Sequence, residues 1–316
     1  MYLNAWYAYG VSQVPWIRKA AILICGVVAA TCLPGVRADV LTSPGGQCFQ
    51  VFDALEFTNK PDLRPEGLEL ATVVGPGRWK QSGGSVDQIP DEQSIRIGLR
   101  ATNPASVILV LDSEDWPLQG TKDVVGASVG RYLTQLSRVK HVGYPGPIGY
   151  YGVPPIRDYW RAIGPSSSGP YRTWQSENDL MQPLADAVDV FFPSLYTFYD
   201  DQDGWTRYAV ANISEARRLA RGKPVYAFIW PQFHESNKEL GGKLIPGTFW
   251  ALQLRTANQY ADGVVIWGGG QLTWDEQAEW WQATRQFLRT RQKNCVQLNQ
   301  PSKPGVPLAP TDVTVH

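Results

Sequence analysis

Seven short apolar runs set what this chain can fold into: "CFQVFDALEF", "LELATVV", "ASVILVLD", "GPIGYYGVP", "VDVFFPSLY", "KPVYAFIWP" and "DGVVIWGG". Helical patterns separate most of them, among them Val129–Lys140, Trp205–Arg221, Thr248–Tyr260 and Asp275–Arg291. Strands that are apolar on both faces, with helices between them, imply a parallel sheet covered on both sides. About seven such strands in about 250 residues match a distorted (β/α) TIM-type barrel better than a two-domain protein. Balanced charge, 43% apolar and 18% charged residues suit one large globular domain. They carry no signature of a nucleic-acid-binding chain.

The ends of the chain read differently from this middle. Arg18 and Lys19 precede the apolar run "AAILICGVVAATCL", and Val36-x-Ala38 fits the small-residue pattern of a signal-peptidase site. The run is about 14 residues long, short of the about 20 that a spanning helix needs. Residues 1–38 are therefore expected to be a secretory signal peptide, with no stable membrane insertion after cleavage. The protein is then secreted, extracellular or periplasmic. Loss of Arg18, Lys19 and Arg37 leaves 26 of the 29 basic residues against 29 acidic ones, a slightly acidic mature chain. The folded domain is expected over 39–295 and a flexible Pro-rich tail over 296–316. Export leaves Cys48 and Cys295 as one pair, which reads as a disulfide in an oxidising compartment. Closing so long a loop is worth about 4 to 5 kcal/mol in the chain-entropy model.

Several strand ends share a chemical character. Asp112-Ser113-Glu114-Asp115-Trp116 follows the third run, and Tyr150-Tyr151 lies in the fourth. Ser194-Leu195-Tyr196 closes the fifth, Trp230-Pro231-Gln232 the sixth and Trp267 the seventh. In a barrel, the C-terminal strand ends build the active site. Aromatic walls around carboxylates suit a carbohydrate, whose ring offers a C–H face to stack and hydroxyls to bond. Because strand side chains alternate, Asp112 and Glu114 share one face about 6.5 Å apart, while Ser113 and Asp115 point the other way. Two carboxylates so placed cannot both ionise cheaply, so one becomes a usable general acid. Hydrolysing a glycosidic bond needs such an acid, together with either a second carboxylate or the substrate's own N-acetyl oxygen.

"LVLDSEDWP", "GYYGVP", "FFPSLY", "DGVVIWG" and, more loosely, "SGGSVDQIP" occur in the order of the corresponding segments of the hyaluronidase family, glycoside hydrolase family 56. The chain resembles that family through most of Cys48–Cys295, and more distantly the chitinase-like and hexosaminidase enzymes. The resemblance implies Glu114 as general acid/base and Asp112 as the residue holding the acetamido group. It also implies Tyr151, Tyr196 and Trp267 as the sugar subsite and a Cys48–Cys295 bridge; Trp230 and Trp116, as aromatic residues at strand ends, are expected to bind substrate beside them. The expected activity is substrate-assisted, retaining cleavage of a glycan containing N-acetylhexosamine, by a monomer without cofactor or metal. Leu118-Gln119 stands where that family carries arginine, and "PPIRDYW" where it carries Cys-Tyr-Asn. With the acidic charge, this favours a neutral or differently decorated glycan over an anionic polymer.

Two other readings remain open on the residues. One is a non-catalytic carbohydrate-binding barrel. The other is an esterase built on Gly126-Ala127-Ser128-Val129-Gly130, with Ser128 as nucleophile, His234 as base and Asp189 or Asp203 as orienting acid. That motif needs a strand before its serine. Asp200, Asp201 and Asp203 read as a polar loop rather than a calcium site.

Overall fold

The computed structural model describes residues 48–75, 88–270 and 272–298, with the side chains of 292–298 outside the description. The expected signal peptide, most of "SGGSVDQIP" and most of the expected tail therefore lie outside the described residues. Six parallel strands form one sheet: β1 (Gln50–Leu55), β2 (Glu69–Val74), β3 (Ile108–Leu111), β4 (Ile148–Tyr150), β5 (Tyr226–Ile229) and β6 (Gly263–Gly268). Their order is β4-β3-β2-β1-β6-β5, with β1 paired to β6 along its whole length from Gln50↔Gly263 to Leu55↔Gly268. Around the sheet run α1 (Glu92–Arg100), α2 (Lys122–Val142), α3 (Tyr159–Ala162), α4 (Gly169–Asp179), α5 (Gln182–Ala187), α6 (Gln202–Ala220), α7 (Gly247–Tyr260) and α8 (Glu279–Leu298). This is a curled, distorted α/β fold of the TIM type.

Of the seven expected strands, six form regular strands among the described residues. The run "VDVFFPSLY" forms no ladder, because Pro193 lacks the N–H that a central strand must donate. It makes isolated parallel bridges instead: Tyr151↔Phe192 to the β4 side, and Phe191↔Val225 and Ser194↔Phe228 to the β5 side. Gly152 N donates to Phe192 O at 2.9 Å and Phe228 N to Pro193 O at 2.9 Å, so the segment links the two edge strands. Gly149 allows that approach, since a Cβ there would run into Val190 O and the Phe192 ring.

The strand pattern sorts the core into two layers. One face of the sheet carries Leu109, Leu111, Tyr150, Leu195, Ile229 and Ile266, packed with buried residues of the helices. The other carries Phe52, Val110, Tyr151, Phe192, Tyr196, Phe228, Trp230 and Val265. That division is the period of two expected of strands buried on both sides. Helix ends follow local chemistry. Thr121 caps α2 through Val124 N, and Gly143 ends it at φ 91°. Asp201 caps α6 through Gly204 N at 2.9 Å, which gives the acid-rich loop a structural role.

Helix α8 continues to Leu298, past the point where the tail was expected to begin. Arg291 donates from α8 to Phe49 O at 2.8 Å and to Gly67 O at 3.1 Å, fastening the last helix to the start of the sheet. Cys48 lies just before β1, and the side chain of Cys295 is outside the description. No helix among the described residues is long and apolar enough to cross a membrane.

Candidate active site

The inner face of the sheet delivers its last side chains to one end. Strand β3 ends at Leu111, which belongs to the helix-facing layer. The next residue, Asp112, continues the alternation inward, held by its N–H to Val74 O at 3.0 Å. Its carboxyl lies against Gly75, where a Cβ would sit 3.4 Å from Oδ2. Ser113 turns the other way: its Oγ donates to Gln135 Oε1 of α2 at 3.0 Å, and its carbonyl accepts from Tyr132 Oη at 2.8 Å. Asp112 and Ser113 therefore part by face, as the alternation of a strand expects.

The electrostatics of the pair follow from that placement. Burial, with repulsion from Glu114 and Asp115 behind it, pushes the Asp112 carboxyl up to about 7. Glu114 is also raised by desolvation, with Asp115 adding to the rise and Arg157 pulling it down. Glu114 is exposed to solvent, yet protein crowds its carboxyl enough for desolvation to dominate. That combination describes a group inside an open cleft.

Four of the expected sugar-binding residues come together, and two of them, Tyr151 and Tyr196, lie in the field of this pair. Tyr151 and Tyr196 lie 5.5 Å apart, and Tyr196 stacks on Trp267 at 5.8 Å and 23°. Trp230 stands edge-on to Trp267 at 5.2 Å and 5.3 Å from Tyr196. The hydroxyls of Tyr151 and Ser194 share a hydrogen bond of 3.0 Å. Desolvation, countered by Arg157 and assisted by Glu114, pushes Tyr151 up to about 12. Tyr196 is raised as well, by desolvation first and then by Tyr151, with Asp112 and Glu114 contributing. Both tyrosines thus remain protonated donors within the field of the two carboxylates. Trp230 is oriented by Nε1 donating to Gln232 Oε1 at 3.0 Å, while Gln232 Nε2 donates to Gly242 O at 2.7 Å. Gly268, at φ 131°, makes room for the Trp230 ring beside β6.

Trp116 does not join them. It is 3% exposed and packs edge-on against Tyr132 of α2 at 4.7 Å, in the helix-facing layer. The expectation that it lines the sugar site is corrected: after the turn following β3, its face is the outer one. Ser128 fails the context of its motif in the same way. It lies inside α2, buried, with Oγ donating to Val124 O at 3.3 Å, and no strand leads into it. Asp189 is engaged by Lys140 at 2.7 Å and by Ile148 N at 3.1 Å, where β4 begins. His234 bonds Ser236 Oγ at 2.8 Å through Nδ1, and desolvation, with Arg157, pushes it down to about 4. The esterase arrangement is not assembled.

The residue missed by the sequence reading is Arg157. The chain passes two cis bonds, Val153–Pro154 and Pro154–Pro155, before reaching it. Its guanidinium donates to Ser194 Oγ at 3.4 Å and sits 5.3 Å from the Phe198 ring centre. It also acts on Glu114, Tyr151, Tyr208 and His234 through its charge. Arg157 lies in the quoted "PPIRDYW", but a loop has no periodicity to show which way a side chain points.

A cavity of about 310 Å³ between β1 and β2, lined by Asp53, Lys60, Thr72 and Ser106, shares no residue with this cleft. Among the described residues, no group of three or more His, Cys, Asp or Glu side chains is placed to hold a metal ion.

Comparison with known proteins adds the fold. No family model matches the chain, and no curated protein matches it. Among solved structures, bee venom hyaluronidase superposes with a TM-score of 0.51 at 16% identity, covering 79% of this chain and 99% of the other. The same bee venom enzyme in complex with a hyaluronic acid tetramer gives 0.53 at 15% identity, covering 76% and 95%. The chain shares the fold of bee venom hyaluronidase. At such identities the likeness concerns the backbone path alone, so the chemistry rests on the cleft.

Proposed function

We propose that this protein is a glycoside hydrolase that cleaves a glycan containing N-acetylhexosamine. One observation carries the reading: Asp112 and Glu114, both raised above ordinary carboxylates, stand at the end of β3 among Tyr151, Tyr196, Trp230 and Trp267. The solved complex of a protein of this fold with a hyaluronic acid tetramer supports a glycan as ligand.

Burial raises both carboxyls, so the pair holds a proton more readily than exposed acids do, while Arg157 favours charge on Glu114. In the sugar-bound form that reacts, Glu114 holds the proton and Asp112 is the carboxylate that accepts the acetamido N–H. Glu114 then protonates the leaving glycosidic oxygen as the acetamido oxygen attacks the anomeric carbon, closing a cyclic intermediate. Water, deprotonated by Glu114, opens that ring with retained configuration and restores the proton. Tyr151 and Tyr196 donate hydrogen bonds to the sugar, and Trp267 and Trp230 stack on its apolar face. This chain's side chains, the substrate and water carry the scheme.

Secretion after removal of residues 1–38, a Cys48–Cys295 bridge and action as a monomer belong to the same proposal. The test is proton NMR of the first product, using chitin oligomers and their de-N-acetylated counterparts as substrates. A retained anomer from the N-acetylated series alone is expected. An inverted anomer, equal cleavage of both series, or no cleavage by the enzyme counts against the scheme.

A further inference from the structure

We propose that Trp160 and Tyr199 form a second sugar-binding platform outside the cleft, which holds a further, uncharged ring of the same glycan chain. The proposal rests on the glycosidase reading and extends it to a polymeric or long oligomeric substrate.

Trp160 is 66% exposed and Tyr199 41% exposed, an unusual cost for two large rings side by side. They are held in place rather than loose. Trp160 lies 5.6 Å from Tyr199, and Tyr159 touches both, at 5.0 and 5.2 Å. Tyr159 in turn packs on Tyr208 at 5.2 Å, whose hydroxyl donates to Ser194 O at 2.6 Å. The platform is thus built on the backbone of the segment that carries Tyr196.

The two rings are also continuous with the cleft. Tyr199 meets Phe198 at 6.4 Å, Phe198 meets His234 at 4.7 Å, and His234 meets Tyr196 and Trp230 at 6.2 and 6.1 Å. Two loops supply both ends of this track. The chain after β4 carries Tyr151, Arg157 and Trp160, and the bridging segment carries Ser194, Tyr196, Phe198 and Tyr199. A glycan running out of the cleft would meet aromatic surface at each step, the surface that stacks on a sugar's C–H face.

Charge selects among sugars. Asp200, Asp201 and Asp203 follow Tyr199 directly, and Arg161 is engaged by Asp158 at 2.6 Å and Glu177 at 2.8 Å. Arg207, one turn into α6, offsets only part of this acidity. The surroundings disfavour a uronate or sulfate and suit a neutral hexosamine.

Calorimetric titration of the full chain carrying Glu114→Gln, which binds without turnover, tests the platform with chitobiose, chitohexaose and a hyaluronan hexasaccharide. Adding Trp160→Ala or Tyr199→Ala is expected to weaken chitohexaose binding roughly 10-fold while leaving chitobiose unchanged. Both residues are exposed, so melting curves should match the parent. Unchanged chitohexaose affinity in these variants, with binding lost in Trp267→Ala, overturns the platform and leaves the cleft reading intact. Preference for the hyaluronan hexasaccharide overturns the neutral-sugar assignment. A dimer that Trp160→Ala converts to monomer overturns the platform in favour of a second copy. Absence of binding by the Glu114→Gln parent for all three probes overturns both readings.

Discussion

Asp112→Asn should make the protein more stable at alkaline pH, an unusual result for removal of a charge from a candidate catalytic centre. The Asp112 carboxyl moves from an ordinary value of 3.8 to about 7 on folding, mainly because it is desolvated. A folded value above the unfolded one means that the native state binds the extra proton. The associated stability is fully present below about pH 3.8 and is lost as pH rises through about 7. A rise of about three units corresponds to about 4 kcal/mol across that window. Asparagine keeps the shape, stays neutral and escapes the loss. Other titrating groups are common to both proteins and cancel in the difference, except Glu114 and Asp115, whose repulsion is part of the Asp112 rise. Urea unfolding at pH 4 and pH 9 should therefore show near-equal stabilities at pH 4 and an advantage on the order of 3 to 4 kcal/mol for the variant at pH 9. In thermal melts the advantage is roughly 10 °C for a domain of this size. Parallel stability curves for the two proteins, or a less stable variant at pH 9, would refute the claim that Asp112 is held in a desolvated, mutually repelling pair.

Arg157 lowers the Glu114 carboxyl, so Arg157→Gln should move the limb of the kcat/KM profile set by Glu114 to higher pH; an unchanged profile with only a lower melting temperature would assign Arg157 to packing. The two tryptophans should behave oppositely. Trp116→Ala, which opens a hole beside Tyr132, should cost about 3 to 5 kcal/mol of stability and leave KM alone. Trp267→Ala should raise KM about 10-fold with a smaller loss of stability, and the reverse pattern in unfolding and kinetic assays would reverse their assignments.

The layered αβ architecture was legible because strands buried on both faces leave continuous apolar runs, and six of the seven runs form regular strands. The seventh reads as a strand by its apolar residues, but Pro193 denies it a ladder. The long helices were visible with boundaries within a few residues or a turn or two, as α2 shows by starting at Lys122 rather than Val129. Helices α1, α3, α4 and α5 were not, because they are short or polar on most faces, and their starts are set by single caps such as Asp91, Asp158 and Ser168. At the site, the alternation of strand side chains gave the direction of Asp112 and Ser113 in advance. The same rule says nothing once the strand has ended. Trp116 lies five residues beyond Leu111 and turns to the helices, whereas Arg157 arrives from a loop. Sequence pattern reaches as far as regular backbone does, and these two residues lie beyond it.

The most direct measurement is release of reducing ends from a panel of hyaluronan, chondroitin, chitin oligomers and peptidoglycan glycans, by the wild-type protein and by Glu114→Gln. The account predicts cleavage of at least one N-acetylhexosamine-containing glycan by the wild type, strongest for a neutral chain. It also predicts a fall of at least about 100-fold when the general acid is removed. Equal release by the two proteins, or no release from any glycan in the panel by the wild type, would contradict it.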